Sequence, residues 1–393
     1  MRITISGQNV DFFTSGVITL ELDSVASTFE FSTRFSAQDP KHQELLKPLQ
    51  YKDVEIFNKN DELIFTGTIL NHRFKSDSGR NLVFVSGYAK CGILEDVSIP
   101  VSAYPLESTN RSLKDIADNL CGLFGIKVLI SNQSTTISTV NSPLKGRKQK
   151  YVERSAFADL QAKANSIFGR IAAMPSESIK DYLSKLAGQK NIIITHNEKG
   201  EVLLFQPDLL QKPRYFFTKK NSLGMSADFN GQNMHSDVSI VRQPSDENAG
   251  VSTVDTAKNS LIAKYRPVTK IMTSGEDTNT KDAAENEIGS ELKNINIGVE
   301  LQDLFDDIYP GEIVNVHNHY IYSYAYNRFM VKSITLKFDE DSDTTTLALV
   351  VPESFSGGPV IRNILYNHSD EDHHLEPHLN EDNSLYTNNI DIL

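Results

Sequence analysis

The sequence predicts a β-rich α+β protein: two similar small antiparallel β-barrels, a mixed α/β middle domain, and a helical insertion interrupting the second barrel. Three observations lead there. Apolar and polar residues alternate with period two over the first hundred residues, the pattern of half-buried strands. From Ser112 the period becomes that of an amphipathic helix, and a helix-then-strand order occurs twice. After residue 216 the opening strand pattern returns in the same order.

The first barrel is assigned to residues 1–103. Val17–Leu22 and Thr28–Phe35 alternate around a turn at Asp23–Ser27. A proline-bearing loop from Gln38 to Pro48 leads to two strands within Asp53–Gly67. They flank Asn58–Asp61, whose Asn and Asp tolerate the left-handed conformations of a tight hairpin. Ile69–Phe74 and Asn81–Ser86 form another pair around Asp77–Gly79. About six short antiparallel strands suggest a barrel, because closure removes exposed sheet edges.

The middle domain is assigned to 104–215. Ser112 is an N-cap, Leu113, Ile116, Ala117, Leu120 and Phe124 share one helical face, and Gly125 is a stop. Ile126–Ile130 reads as a strand. The same order recurs with a helix over Ser176–Gly188, a strand at Ile192–His196, a turn at Asn197–Gly200 and a strand at Val202–Phe205. A third helix is predicted over Ala156–Arg170, and 132–149 is the longest loop.

The second barrel is assigned to 216–243 and 296–356. Ser226–Phe229 and Ser236–Arg242 read as a strand pair, followed later by Gly311–Val316, Arg328–Phe338 and Thr346–Val351. Asp53–Phe57 parallels Gly311–Val316, Ile69–Asp77 parallels Ile334–Asp341, and Leu82–Val85 parallels Leu347–Val350. The simplest reading is one barrel used twice. The insertion, 244–295, carries a helix with Ala283, Ala284, Glu287, Ile288 and Leu292, expected to pack on the middle domain. Residues 357–393 read as a polar C-terminal arm.

The 51 acidic side chains outnumber 39 basic ones, for a formal net charge of −12. That balance argues against a binder of bare phosphate backbone. The 2 cysteines, Cys91 and Cys121, cannot make a disulfide framework and stand in no metal-ligand spacing, which points to a reducing compartment. No signal core and no bilayer-length apolar stretch is present, so a soluble, unsecreted chain is expected.

No nucleophile elbow, P-loop, HExxH or strand-associated GxGxxG occurs, and no catalytic residue or cofactor is assigned. Carboxylate pairs such as Asp306-Asp307 leave glycosidase chemistry without positive support. His368, His373, His374 and His378 are weak metal-ligand candidates, in a segment whose composition favours a flexible arm docking on a neighbour. His317 and His319 read as polar residues sharing one face of a strand. Leu144–Lys150 is the one basic cluster, suited to an acidic partner or to solvent. Tyr320, Tyr322, Tyr324 and Tyr326 alternate on one strand face and are interface candidates, or cap the barrel.

The runs Asp53–Phe57, Leu63–Ile69 and Leu82–Lys90, with Tyr309–Val316 and Phe329–Leu336, resemble the baseplate hub proteins of phage tails. These are the Mu-type hub and late-control-protein-D group, with a more distant likeness to the hub part of type VI secretion spike proteins. The likeness covers roughly 1–356 and rests on alternation and glycine placement. It implies a structural, non-enzymatic homotrimer. Its doubled barrel would form a pseudo-sixfold ring adapting a hexameric tail tube to a trimeric central spike. The implied partners are itself, the tube protein, the spike protein, and baseplate wedge or tail-tip proteins. DNA or cargo would pass only in transit through the channel, and no stable membrane association is implied. The implied location is the virion tail baseplate, assembled in the host cytoplasm. Acidic side chains would either line the channel or serve solubility alone. The alternatives are a spike-core component of a secretion system and a tail-associated cell-wall hydrolase or carbohydrate-binding protein. The short stretch after the second barrel counts against both.

Overall fold

The computed structural model describes residues 1–355 apart from 11, 104–106, 132–157, 169, 175, 210, 243–252, 273–279, 322–327, 340 and 341. It is β-rich with separate helices, the α+β class expected. The chain divides into two compact units. Unit 1 holds Met1–Asp208, Gln302–Pro310 and Ser333–Thr346; unit 2 holds Leu209–Leu301, Gly311–Lys332 and the chain from Leu347.

Unit 1 begins with β1 (Arg2–Ile5), β2 (Gln8–Asn9), β3 (Phe13–Glu21), β4 (Thr28–Arg34), a short helix α1 (Pro40–Leu45), β5 (Asp53–Phe57), β6 (Leu63–Ser76) and β7 (Asn81–Ala89). The strands pair antiparallel in the order β3-β4-β7-β6-β5-β1-β2, and Ser333–Asp339 adds to the free side of β3. Inward positions alternate as the pattern demands: Phe29, Phe31, Val54, Ile56, Ile69, Val83 and Val85 are buried. Gly87 has a packing reason, since a Cβ there would lie 2.0 Å from the Thr68 carbonyl oxygen and 3.0 Å from the Phe29 ring. Helix α1 sits in what the sequence reads as a loop. Asp39 caps it, accepting from Lys41 N, and Pro40 supplies the preset φ of a first turn.

The turn between β5 and β6 is fixed by one side chain. Asn58 is buried; its Oδ1 accepts from Asn60 N and Glu62 N, and its Nδ2 donates to Glu62 Oε2 at 2.9 Å. An Asn followed four residues later by Glu does the same at 197–201. Asn197 Oδ1 accepts from Lys199 N and Glu201 N, and Nδ2 donates to Glu201 Oε2 at 2.8 Å.

The rest of unit 1 contains α2 (Ile93–Asp96), β8 (Glu107–Thr109), α3 (Leu113–Gly122), β9 (Val128–Ser131), α4 (158–165), β10 (Arg170–Ala172), α5 (Ile179–Gly188), β11 (Ile193–His196) and β12 (Val202–Phe205). β11 pairs antiparallel with β12, and β12 parallel with β9. Helices α3 and α5 are copies of one device. Ser112 and Ser178 cap them, accepting from Asp115 N and Asp181 N, and Ser112 completes a capping box with the Asp115 carboxylate. Each leaves its helix through the same pair of bonds: Gly125 N to Gly122 O and Ile126 N to Cys121 O, matched by Asn191 N to Gly188 O and Ile192 N to Ala187 O. Gly125 at φ +68° and Asn191 at φ +54° both take the left-handed conformation this exit requires.

The third helix expected over Ala156–Arg170 is shorter at its C-terminal end; Ala156 lies outside the described residues. Helix stops at 165 because the next backbone is used otherwise. Ile167 bridges Ser112, Phe168 N donates to Arg111 O at 3.0 Å, and Arg170 starts β10.

Unit 2 is built from β13 (Phe216–Thr218), β14 (Gly224–Phe229), β15 (Asp237–Arg242), β16 (Thr253–Lys258), β17 (Pro267–Met272), α6 (Thr280–Glu291), β18 (Ile295–Gln302), β19 (Ile313–His317), β20 (Arg328–Asp339) and β21 (Asp343–Val350). Strands β20 and β21 belong to it through Arg328–Lys332 and Leu347–Val350. Its main pairing path is β19-β20-β21-β18-β14. Matched strand for strand, this is the path β5-β6-β7-β4-β3 of unit 1. Asn318, directly after β19, repeats the position of Asn58 after β5, and its Oδ1 accepts from Tyr320 N at 3.1 Å. At the edge beyond β5 and β19 the two differ, since β1 runs antiparallel to β5 but β13 runs parallel to β19.

Two expectations need correction here. Ser226–Phe229 does not pair with Ser236–Arg242: β14 pairs with β18, whereas β15 is the central strand of a separate sheet, β16-β15-β17. The expected helical insertion therefore contributes two strands as well as a helix. The apolar face of α6 is accounted for within its own unit, where Ala284 and Ile288 close on Val238 and Ile240 with Ala257 and Val268 alongside. Among the described residues no helix is long and apolar enough to cross a membrane.

Candidate interaction surface

The tyrosine run was expected on a strand. Tyr320 lies instead in a single 3-10 turn, His319–Ile321, because Asn318 captures its backbone N–H and ends β19. Its side chain is 86% exposed, with the Lys219 ammonium 5.0 Å from the ring centroid. Tyr322, Tyr324 and Tyr326 lie outside the described residues, as do His368, His373, His374, His378 and Leu144–Lys150. His317 ends β19 and His319 opens the turn, so they do not share a strand face; their rings meet edge to face at 4.6 Å, and Phe216 stacks near His317 at 6.4 Å.

Among the described residues no group of three or more His, Cys, Asp and Glu side chains could hold a metal. Cys91 and Cys121 are buried thiols; burial pushes Cys121 up to about 12 and Cys91 higher still, so neither is a ready thiolate. A cavity of about 30 Å³ bounded by Glu21, Ile64, Thr195, His196 and Tyr309 is of single-water size. An open groove along α5 is lined by Met174, Ser176, Glu177, Asp181, Ser184 and Lys185, and its serines have no histidine among those residues.

The charge distribution of unit 1 is more informative. Strand β6 is 14 residues long, so its two end turns stand roughly 45 Å apart at about 3.3 Å per residue. Its N-terminal end is acidic. Glu62, Asp306, Asp307 and Asp343 gather around the Asn58 turn, with Lys59 bridging Asp343 at 3.2 Å. Burial first, with the charges of Asp307 and Glu62 beside it, holds the Asp306 carboxyl above the ordinary carboxylate range.

The C-terminal end of β6 is basic and aromatic. Register places Lys75, Leu82 and Arg34 in one row across β6, β7 and β4, and Arg73, Phe84 and Ser32 in the next row on the same face. The Arg34 guanidinium lies 4.4 Å from the Phe12 ring centroid and that of Arg73 6.0 Å from Phe84. Phe12 is 41% exposed. Lys75 reaches Asp77 at 2.9 Å, but among the described residues none of Arg34, Arg73 and Arg80 is paired with a carboxylate. His72 lies on the other face, and burial first, then the Lys52 charge, lowers its pKa below the ordinary histidine value. Sequence reasoning missed this end because its charges come from separate strands and no local run of the chain displays them together.

No protein-family model matches the sequence, and no curated protein matches it. Solved structures do. The 43 kDa tail protein of prophage MuSo2 from Shewanella oneidensis superposes with TM-score 0.68 at 17% identity, over 90% of this chain and 98% of that one. A tail protein from Neisseria meningitidis MC58 gives TM-score 0.68 at 16% identity over the same shares. A component of the Escherichia coli type VI secretion system, itself described as similar to T4 bacteriophage tail proteins, gives TM-score 0.52 at 8% identity over 93% and 80%. The chain therefore has the fold of prophage tail proteins, a fold that extends to a type VI secretion component, as the resemblance in its strand runs implies.

Proposed function

We propose that the protein is the structural, non-enzymatic hub of a phage tail or tail-like injection machine. Three copies would form a ring that adapts a hexameric tube to a threefold spike and leaves a channel for DNA or cargo. One observation carries this reading: β5-β6-β7-β4-β3 and β19-β20-β21-β18-β14 are the same strand path used twice. A chain that presents one motif twice offers six similar faces when three copies close into a ring, which reconciles sixfold with threefold symmetry. The fold shared with prophage tail proteins supports it. The partners on this reading are a second and third copy, the tube protein, the spike protein and surrounding baseplate proteins, with Tyr320 as an interface residue.

Mass photometry of the purified chain, alone and with its cognate tube and spike proteins, tests the reading. Trimers are expected, and electron microscopy of them should show a ring with an axial channel and approximate sixfold features. A monomer or dimer that persists in the presence of both partners would overturn it. Peptidoglycan hydrolysis by the isolated chain would overturn its non-enzymatic part.

A further inference from the structure

We infer that the second half of β6, Asn71–Ser76, pairs with the outer edge of β14 in a neighbouring copy, repeating between chains the join that Ser333–Asp339 makes with β3 inside unit 1. The inference rests on the trimeric reading above and names the strands that meet.

The duplication identifies the occupant. Strands β6 and β20 correspond residue by residue over their second halves, because two matching bonds anchor each of them. Ile69 N donates to Lys52 O and Val331 N to Glu312 O where each strand leaves its first partner, and Asp77 N donates to Arg80 O and Asp339 N to Ser342 O where each chain turns. Between its anchors, Ser333–Asp339 of β20 lies antiparallel to β3. The matching stretch of β6 has, among the described residues, a ladder with β7 alone. Since Asp77 N faces Arg80 O, alternation turns the amides of His72, Phe74 and Ser76 to the opposite edge. Side-chain exposure follows the missing strand: Leu336, opposite Ile18 of β3, is 2% exposed, whereas Phe74 at the equivalent place is 45% exposed.

Strand β14 is the counterpart of β3, and among the described residues its one ladder is with β18. Asn230 N donates to Asn294 O, so the amides of Met225 and Ala227 face away from β18. Open edges are ordinarily blunted by Pro, Lys or a bulge. β14 reads Gly-Met-Ser-Ala-Asp-Phe and pairs without a register shift, so it carries none of these. The first motif thus has its β3 edge covered and its β6 stretch uncovered, and the second motif has the reverse. The stretch equivalent to the one that covers β3 is the one suited to β14, and strand addition supplies the main-chain bonds. Because the join links unlike motifs, any ring it closes alternates first and second motif, and three copies present six. The number of copies comes from the trimeric reading; the contact supplies the edges that meet.

The test uses the full chain. Mass photometry over a dilution series separates trimer from monomer, and hydrogen exchange read by mass spectrometry compares the two. Peptides spanning 70–77 and 224–230 should exchange about tenfold or more slowly in the trimer, while 333–339 is protected equally in both. Ala227→Pro removes an outward amide at an edge, where proline is tolerated. It should keep the wild-type circular dichroism and associate about tenfold or more weakly. Phe74→Pro should do the same from the other strand. Equal exchange of both peptides in trimer and monomer would overturn the contact and leave the trimeric reading intact, as would a folded Ala227→Pro chain that trimerises with wild-type affinity. Protection of 224–230 in the monomer would also overturn it, because the chain would then cover that edge itself. A dimer with both peptides protected would support the contact and overturn the trimeric reading. A wild-type chain that is monomeric at every concentration, and with both tube and spike proteins present, would overturn both.

Discussion

Replacing Asn197 with alanine should destabilise unit 1 by about 2–3 kcal/mol, summing three hydrogen bonds at about 1 kcal/mol each. The bonds are specific. Oδ1 accepts from Lys199 N at 3.1 Å and Glu201 N at 2.9 Å, and Nδ2 donates to Glu201 Oε2 at 2.8 Å. Asn197 is 5% exposed, so water cannot readily take over these roles. With a urea slope of about 2–3 kcal/mol/M, the midpoint of the transition should fall by about 1 M. Because two-state unfolding is not assured for a chain of two compact units, the transition needs a local probe as well. Hydrogen exchange at the Lys199 and Glu201 amides should accelerate first and most. Asn58→Ala removes the matching set of bonds in the same unit and should give a shift of the same size. Asn197→Asp retains the acceptor, loses the donor and faces Glu201 with a second carboxylate, so its defect should shrink as pH falls. A midpoint change worth less than about 0.5 kcal/mol for Asn197→Ala, the range of ordinary surface substitutions, would refute the view that this side chain holds the turn.

Other expectations follow the same logic. Ser112→Ala should cost about 0.5–2 kcal/mol, as measured for lost N-caps, and more than Ser178→Ala, because only Ser112 is described with a reciprocal box; thermal melts of both and of the Thr variants would check it. Ile288→Ala should destabilise the α6 layer by about 2–5 kcal/mol, since Ile288 is 2% exposed, with hydrogen exchange rising in β15 and β16. The histidines give a pH dependence: burial lowers His196, and burial with Lys52 lowers His72. Their folded forms then bind fewer protons than the unfolded chain. That contribution is complete above the unfolded value of about 6.5 and is lost as pH falls below it toward the folded values. Urea midpoints should therefore drop from about pH 7 to pH 5, and His196→Gln should flatten the slope; an unchanged slope in that variant would reject His196 as a source.

What could be read from the sequence was whatever the chain encodes locally. Alternation in Thr28–Phe35 and Asn81–Ser86 found its strands, and Ser112 with the apolar face of Leu113, Ile116, Ala117 and Leu120 announced its helix. Pairing partners were harder, because alternation says which face is buried but not which neighbour lies beside a strand. Val238 and Ile240 alternate as well as any barrel strand does, yet they face Ala284 and Ile288 rather than β14. Tyr320 departs from the expected strand for a different reason: it has strand periodicity, but the Asn318 side chain takes the Tyr320 N–H needed for a ladder. The charged ends of β6 were invisible because they are assembled by register, with Arg34 and Arg73 39 positions apart in the chain.

The placement of the β15–β17 and α6 module explains why the duplication is easy to miss. If β14 matches β3 and β18 matches β4, the equivalent of the entire 230–294 excursion is the short turn between Glu21 and Thr28. Loop-closure entropy grows only logarithmically with loop length, so a turn joining adjacent antiparallel strands tolerates an insertion at modest cost, provided the insert folds on itself. This one does. Its sheet has its own helix layer, with Val238 fully buried beneath it, and His235 anchors its entry to Glu291 at its exit through a 2.6 Å bond from Nδ1. The chain thus enters and leaves the module at one tied point, and the pairing of β14 with β18 continues from Phe229–Ile295 to Gly224–Glu300 without a register shift. An insert closed in this way separates two strands widely in sequence while leaving their pairing intact.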